Sequence, residues 1–271
     1  MYKVALDAGH GLYTAGKRCL ASLDGNQTRE WTLNSRICDK IQSSLQAYDG
    51  YEILRVDDVS GKTDVSLSSR TTKANNWGAN IYLSVHHTAG INGGSGGGIE
   101  VYVYTKVDSG TLAAQTDLYN CLIKHTGLKG NRSTPIKKAN FAVLRQTSMT
   151  AVLAECGFMD SSTDVPIILS DTFANQVANA YVEFIAAYGH LTKKYIAPTQ
   201  DIVIEPTSGF KIGDTVRYRS FYSSSTDGVS KAIIKPNWRT GVITKVLTGV
   251  HNPYLINGGT CWINDGDIHN I

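Results

Sequence analysis

The chain has 271 residues, 42% of them hydrophobic and 18% charged, an ordinary globular composition with room for one large domain and a small one. No apolar run approaches the roughly 18 residues of a membrane span, and five scattered cysteines without a CxxC pair indicate neither a disulfide framework nor a cysteine zinc knuckle. The net charge of +3 is unevenly placed: residues 1–189 balance 17 basic against 17 acidic side chains, while residues 208–271 carry 7 against 4, a mild bias toward an anionic partner and too diffuse for a nucleic-acid-binding face.

The N-terminus MYKVALDAGHG already reads as a strand, with no basic stretch or apolar signal core before it. This predicts a protein made in the cytoplasm, without signal peptide or membrane insertion. A helix is expected from about Glu30 to Tyr48, then a strand at YEILRV, a helix through SLSSRTTKANNWG and a strand at IYLSVHH. GIEVYVYT is a further strand, and TLAAQTDLYNCLIKHTG a helix ended by Gly127. FAVLR and TAVLAECGF read as late strands, and a last helix covers about Ser170 to Tyr188. The alternation predicts an α/β domain over residues 1–190, with a mostly parallel twisted sheet flanked by helices on both faces. Residues 191–207 read as a linker; residues 208–271 show short period-two runs and turn residues, the texture of a small all-β module.

Three apolar runs end on residues that bind metals or move protons: His10, the pair His86 and His87, and Glu155. In open α/β sheets the ligand site lies beyond the carboxyl ends of the strands, so these residues are expected at one edge. Glu30 precedes Ile37 and Ile41 by 7 and 11 residues, within about 20° of whole helical turns. It therefore heads a buried helix face, where an unpaired charge is costly; a first-turn glutamate favoured by the helix dipole is the alternative. His86 and His87 point to opposite faces, and alternation alone does not choose between them. The glycine-rich GINGGSGGG lacks the GK[ST] ending of a phosphate loop and reads as a flexible loop beside a cleft. Two imidazoles and a carboxylate suit zinc with one position open, leaving Glu155 as a general base. The residues by themselves thus give a metal-dependent hydrolase of unknown substrate.

DAGHG, Glu30 followed by Leu33 and Asn34, LSSRTTKANNWGANIYLSVHHTAG, GGGIEVYVY and VLRQTSMTAVLAECGFMDSSTD, in order across residues 1–189, resemble the zinc-dependent N-acetylmuramoyl-L-alanine amidases of the amidase-3 type. The resemblance implies zinc ligands His10, Glu30 and His86, the catalytic glutamate Glu155, and cleavage between N-acetylmuramic acid and L-alanine of the peptidoglycan stem peptide. Asp160-Ser161 stand where the family commonly has Ser-Asn. The C-terminal module is similar to bacterial SH3-type wall-binding domains, in its GDTVRY start and its NPYLINGGTCWINDGDI end. Tyr218, Tyr222, Trp238, Tyr254 and Trp262 are its candidate contact residues, though half or more are expected in its core. The combination looks like a phage endolysin. A host autolysin, a zinc peptidase cutting within the stem peptide and a catalytically inactive wall-binding protein are the alternatives.

Overall fold

In a computed structural model, residues 1–194 and 209–270 apart from 260 are described. Two compact units separate, Met1–Lys194 and Tyr195–Ile271. In the first, chain order runs β1 (Tyr2–Ala8), α1 (Glu30–Leu45), β2 (Tyr48–Asp49), β3 (Tyr51–Arg55), α2 (Leu67–Trp77), β4 (Ile81–Thr88), β5 (Glu100–Val103) and α3 (Ser109–Thr126). Then come β6 (Ile136–Lys138), α4 (Ala142–Arg145), β7 (Thr150–Phe158), α5 (Val165–Ile168), α6 (Asp171–Tyr188) and β8 (Thr192–Lys193).

Six strands form one sheet in the order β3-β1-β4-β7-β5-β6, all neighbours parallel except β5 against β7. Both faces are covered, as a mostly parallel sheet requires. Val4, Leu6, Ile81, Leu83, Val85, Val152 and Ala154 meet α1, α3 and α6 in the larger core. Ala5, Tyr82, Ala151 and Leu153 meet Ala74 of α2 and Val143 and Leu144 of α4 on the other face. Helix starts follow local chemistry: Ser66, Asp108 and Ser170 each accept a hydrogen bond from a backbone N–H three residues on, supplying the caps of α2, α3 and α6.

Three local expectations need correcting. FAVLR is not a strand: Leu144 and Arg145 donate backbone hydrogen bonds to Phe141 C=O, and Ala142–Arg145 closes one helical turn over the sheet face. A four-residue apolar run fits either state, and here packing decides. The helix at Glu30 stops at Leu45, because Tyr48–Asp49 pairs with Thr192–Lys193. That pairing ties residues 192–194, read as linker, to the first unit; the rest of the linker, 195–207, lies outside the described residues.

The second unit is an antiparallel five-stranded sheet of β9 (Thr215–Phe221), β10 (Ile233–Val246), β11 (Tyr254–Ile256), β12 (Cys261–Ile263) and β13 (Ile268–Asn270), ordered β12-β11-β10-β9-β13. Val216, Tyr218, Ile243, Tyr254, Ile256, Ile263 and Ile268 form its core. Tyr218, Tyr222 and Tyr254 are thus buried, Trp262 is half-buried and Trp238 is exposed.

Candidate active site

Strand register assembles the site. Ala8 pairs with Val85 across β1–β4, and His86 with Glu155 across β4–β7. Glu100 of the reversed strand β5 pairs with Glu155 from the other side. Alternation along β4 sends Val85 and His87 to the α1 face, so His86 shares the opposite face with Leu153 and Glu155. His87 Nδ1 instead hydrogen-bonds Asn34 Oδ1 at 2.8 Å, and Asn34 donates onward to Gly9 C=O.

The turn after β1 is shaped by two constraints. Gly9 lies under the His86 imidazole, where a Cβ would sit 2.0 Å from His86 Cε1. His10 then takes φ +67°, a left-handed conformation that a non-glycine residue adopts only when surroundings impose it. Arg70 does so. Fully buried on α2, it donates to Ala8 C=O and His10 C=O at 2.8 Å each and to Asp7 Oδ1 at 2.6 Å. Asp7 also accepts from Ser84 of β4 at 2.7 Å. A buried ion pair thereby fixes the backbone that presents His10.

Glu30, on the first turn of α1, is fully buried beside two imidazoles. Its Oε1 lies 3.0 Å from His86 Nδ1 and accepts the His87 backbone N–H at 3.2 Å. Its Oε2 accepts no hydrogen bond, and has His10 Nε2 at 3.4 Å and Lys17 Nζ at 3.6 Å. One ligand atom from each of His10, Glu30 and His86 lies within 4.8 Å of the others. Burial works to raise the Glu30 pKa, but the hydrogen bond and charge of His86, then His10 and Lys17, outweigh it and hold it at about 2. Burial pushes His10 down to about 4 against the pull of Glu30, so that imidazole is neutral at pH 7, the form a metal requires. A buried carboxylate with one oxygen lacking a donor, clustered with two imidazole nitrogens, fits a divalent ion, and the nitrogen–oxygen set suits zinc.

Glu155 stands next to this cluster, and its Oε2 is buried without a hydrogen bond. Burial raises its pKa to about 7, with His86 pulling down and the Glu30 and Glu100 carboxylates adding to the rise. A carboxyl poised near neutrality beside a metal-type donor set can take up and return a proton. A cleft of about 360 Å³ opens over His10, His86 and Glu155, walled by Leu67, Phe141 and Val143.

The model of the N-acetylmuramoyl-L-alanine amidase family matches residues 4–187. The chain belongs to this family. Its first unit is a peptidoglycan amidase, a hydrolase. N-acetylmuramoyl-L-alanine amidase CwlM of Bacillus licheniformis is 32% identical over 197 residues, 73% of this chain and 72% of that protein. The endolysin of Bacillus phage SPP1 is 33% identical over 206 residues, 76% and 73% of the two chains. Among solved structures, an N-acetylmuramoyl-L-alanine amidase from Clostridium difficile 630 aligns with TM-score 0.61 and 27% identity, over 69% of this chain and 96% of that one. The catalytic domain of CwlV from Bacillus (Paenibacillus) polymyxa var. colistinus gives TM-score 0.61 and 26% identity, over 69% and 98%. The described residues contain no helix long and apolar enough to cross a membrane.

Within the amidase, the glycine-rich loop read as flexible is hydrogen-bonded to side chains that follow β7. Asp160 Oδ2 accepts three consecutive backbone N–H groups, Gly90, Ile91 and Asn92, at 2.8, 2.9 and 2.7 Å. Ser161 Oγ bonds Gly96 C=O, and Asp164 Oδ2 accepts from Gly98 N–H at 2.7 Å. Asp160 and Ser161 thus hold this loop together with Thr163, Asp164 and Asn131. Sequence reasoning also missed Lys17, Asp7 and Arg70. Lys17 carried no signal, whereas Asp7 inside an apolar strand and Arg70 on a helix facing it were detectable as charges needing partners.

Proposed function

We propose that this chain is a zinc-dependent, bacteriolytic endolysin that cleaves the amide between N-acetylmuramic acid and L-alanine of the stem peptide. The convergence of His10, Glu30 and His86 beside a proton-accepting Glu155 carries the reading. His10, Glu30 and His86 would hold the zinc. When bound, zinc supplies Lewis acidity, which acidifies water and polarises a carbonyl. Glu155 takes the proton of the attacking water and returns it to the leaving amine of L-alanine. Leu67, Phe141 and Val143 exclude water from one side of the cleft, and Asn34 holds His87 and the Gly9 carbonyl behind the cluster.

Residues 1–190 act as the catalytic domain and residues 208–271 as an SH3-like module that docks the enzyme on bacterial peptidoglycan or its attached polymer. Its antiparallel sheet, positive net charge and exposed Trp238 support this role. Likeness to the SPP1 endolysin supports a protein held in the host cytoplasm until lysis, then acting on the wall. The test is the end group released from purified Gram-positive peptidoglycan, with and without chelator. Free N-terminal alanine, no new reducing sugar and loss on chelation are expected. A different N-terminal residue would replace the amidase assignment by a stem-peptide peptidase.

A further inference from the structure

The outer face of the second unit concentrates cationic and aromatic side chains. Alternation along β9 buries Val216 and Tyr218 and turns Thr215, Arg217 and Arg219 outward. On β10, Trp238, Thr240 and Val242 lie on the same outer side, because Gly241 opposes Val216 and Ile243 is core. On β13, His269 lies opposite Arg217. Trp238, 44% exposed, has the Arg217 and Arg219 guanidinium carbons 5.3 and 5.7 Å from its ring centre and the His269 ring 5.0 Å away. Lys235 Nζ lies 5.9 Å from the neighbouring Phe221 ring.

Among the described residues, neither arginine has an acidic partner. The acids among the described residues of this unit are engaged elsewhere: Asp214 caps the Lys211 turn, Asp227 holds Ser224 and Lys231, and Asp265 and Asp267 accept the Tyr254 and Tyr222 hydroxyls. Arg217 and Arg219, two positions apart on one strand, stand about 7 Å from each other. Two guanidinium forks without acidic partners, gathered at one indole, suit the phosphates of an anionic chain, since the fork matches phosphate geometry bidentately. The part of the Trp238 indole left exposed beside them offers an apolar surface for the sugar or polyol carbons linking the phosphates.

We propose that the Arg217–Arg219–Trp238–His269 face binds a phosphodiester-linked anionic polymer of the bacterial wall, rather than the peptidoglycan peptide. The proposal rests on the reading of this unit as a wall-docking module and deepens it by naming the ligand chemistry.

The test is co-sedimentation of the full-length Glu155→Gln protein with purified Gram-positive walls, either intact or stripped of phosphodiester polymer by cold hydrofluoric acid. Binding to intact walls is expected to fall at least about fivefold on stripping, and by a similar factor in Trp238→Ala. Arg217→Gln/Arg219→Gln should also weaken it, and its salt dependence should be shallower than that of the parent, which loses about tenfold between 50 and 200 mM salt if two or three phosphates are neutralised. Equal binding to intact and stripped walls, with no effect of the three substitutions, would overturn the anionic-polymer proposal and leave the docking role standing. Absence of binding to intact walls would overturn the docking role and the proposal with it. Binding to duplex DNA that is lost in these variants while wall binding persists would assign the face to nucleic acid instead. The salt titration of the parent protein needs no substitution and decides the electrostatic part alone.

Discussion

The two units handle charge in opposite ways. In the first, Asp7, Glu30, Arg70 and Glu100 are nearly inaccessible, and each faces a cation, an anion or an imidazole within hydrogen-bond or ion-pair range. In the second, the cationic side chains of the outer face point into solvent, against aromatic rings rather than carboxylates. Buried charge is costly unless matched, so the first unit spends sequence on geometry that must be right to a fraction of an ångström. Exposed charge costs little and is weakly held, which would suit the polymer-binding role proposed for this surface. A buried site and an exposed face thus make different demands on the same residue types.

Substitutions at the cluster give the largest expected effects. Glu155→Gln should abolish peptidoglycan hydrolysis while zinc content, measured by atomic absorption, stays at the parent level. His10→Ala should lose both, and chelation of the parent should reproduce that loss. Full activity in Glu155→Gln would remove Glu155 from the proton-transfer role. Gly9→Ala comes next, since its Cβ would collide with the His86 ring; zinc affinity should fall by an order of magnitude or more, within the roughly 10- to 100-fold seen when supports of metal ligands are altered. Unchanged affinity would show that His86 can move without consequence.

Arg70→Met sharpens the contrast from the stability side. It leaves Asp7 buried without its partner, and chemical denaturation should show a loss of about 3–5 kcal/mol. In the parent, Asp7 is held below its ordinary pKa: burial works against this, and Arg70, His86 and Ser84 overcome it. A depressed folded-state pKa stabilises the fold fully above the unfolded value near pH 4, and that contribution is lost as pH falls through the folded value. Arg70→Met should lose this acid-side dependence. At the other extreme, Trp238→Ala should move the denaturation midpoint by no more than about 0.5 kcal/mol, because surface positions outside cores and caps rarely do more. A larger shift would place Trp238 in the fold of its unit and not at a free surface.

Much of this arrangement was legible before any coordinates. The strand ends at His10, His86 and Glu155 are apolar runs cut off by polar residues, and Glu30 declares itself by helical phase with Ile37 and Ile41. The choice between His86 and His87 was not legible from alternation, since Ile81 to Val85 are buried on both faces and no polar side marks the pleat. Resemblance singled out His86, and the parity of β4 places it on the same face as Glu155. IKK was invisible as a strand because edge strands carry lysines in place of an apolar pattern. The Arg70 clamp spans 63 residues of sequence to Asp7, and only the pairing of β1 with β4 and the packing of α2 bring the two together.

The hydrogen bonds from Gly90, Ile91 and Asn92 to Asp160 have an entropic consequence for the fold. A segment this rich in glycine has the most conformational freedom to lose on ordering, and here that loss is already incurred when the protein folds. The three N–H groups are thus already satisfied inside the fold before any substrate arrives.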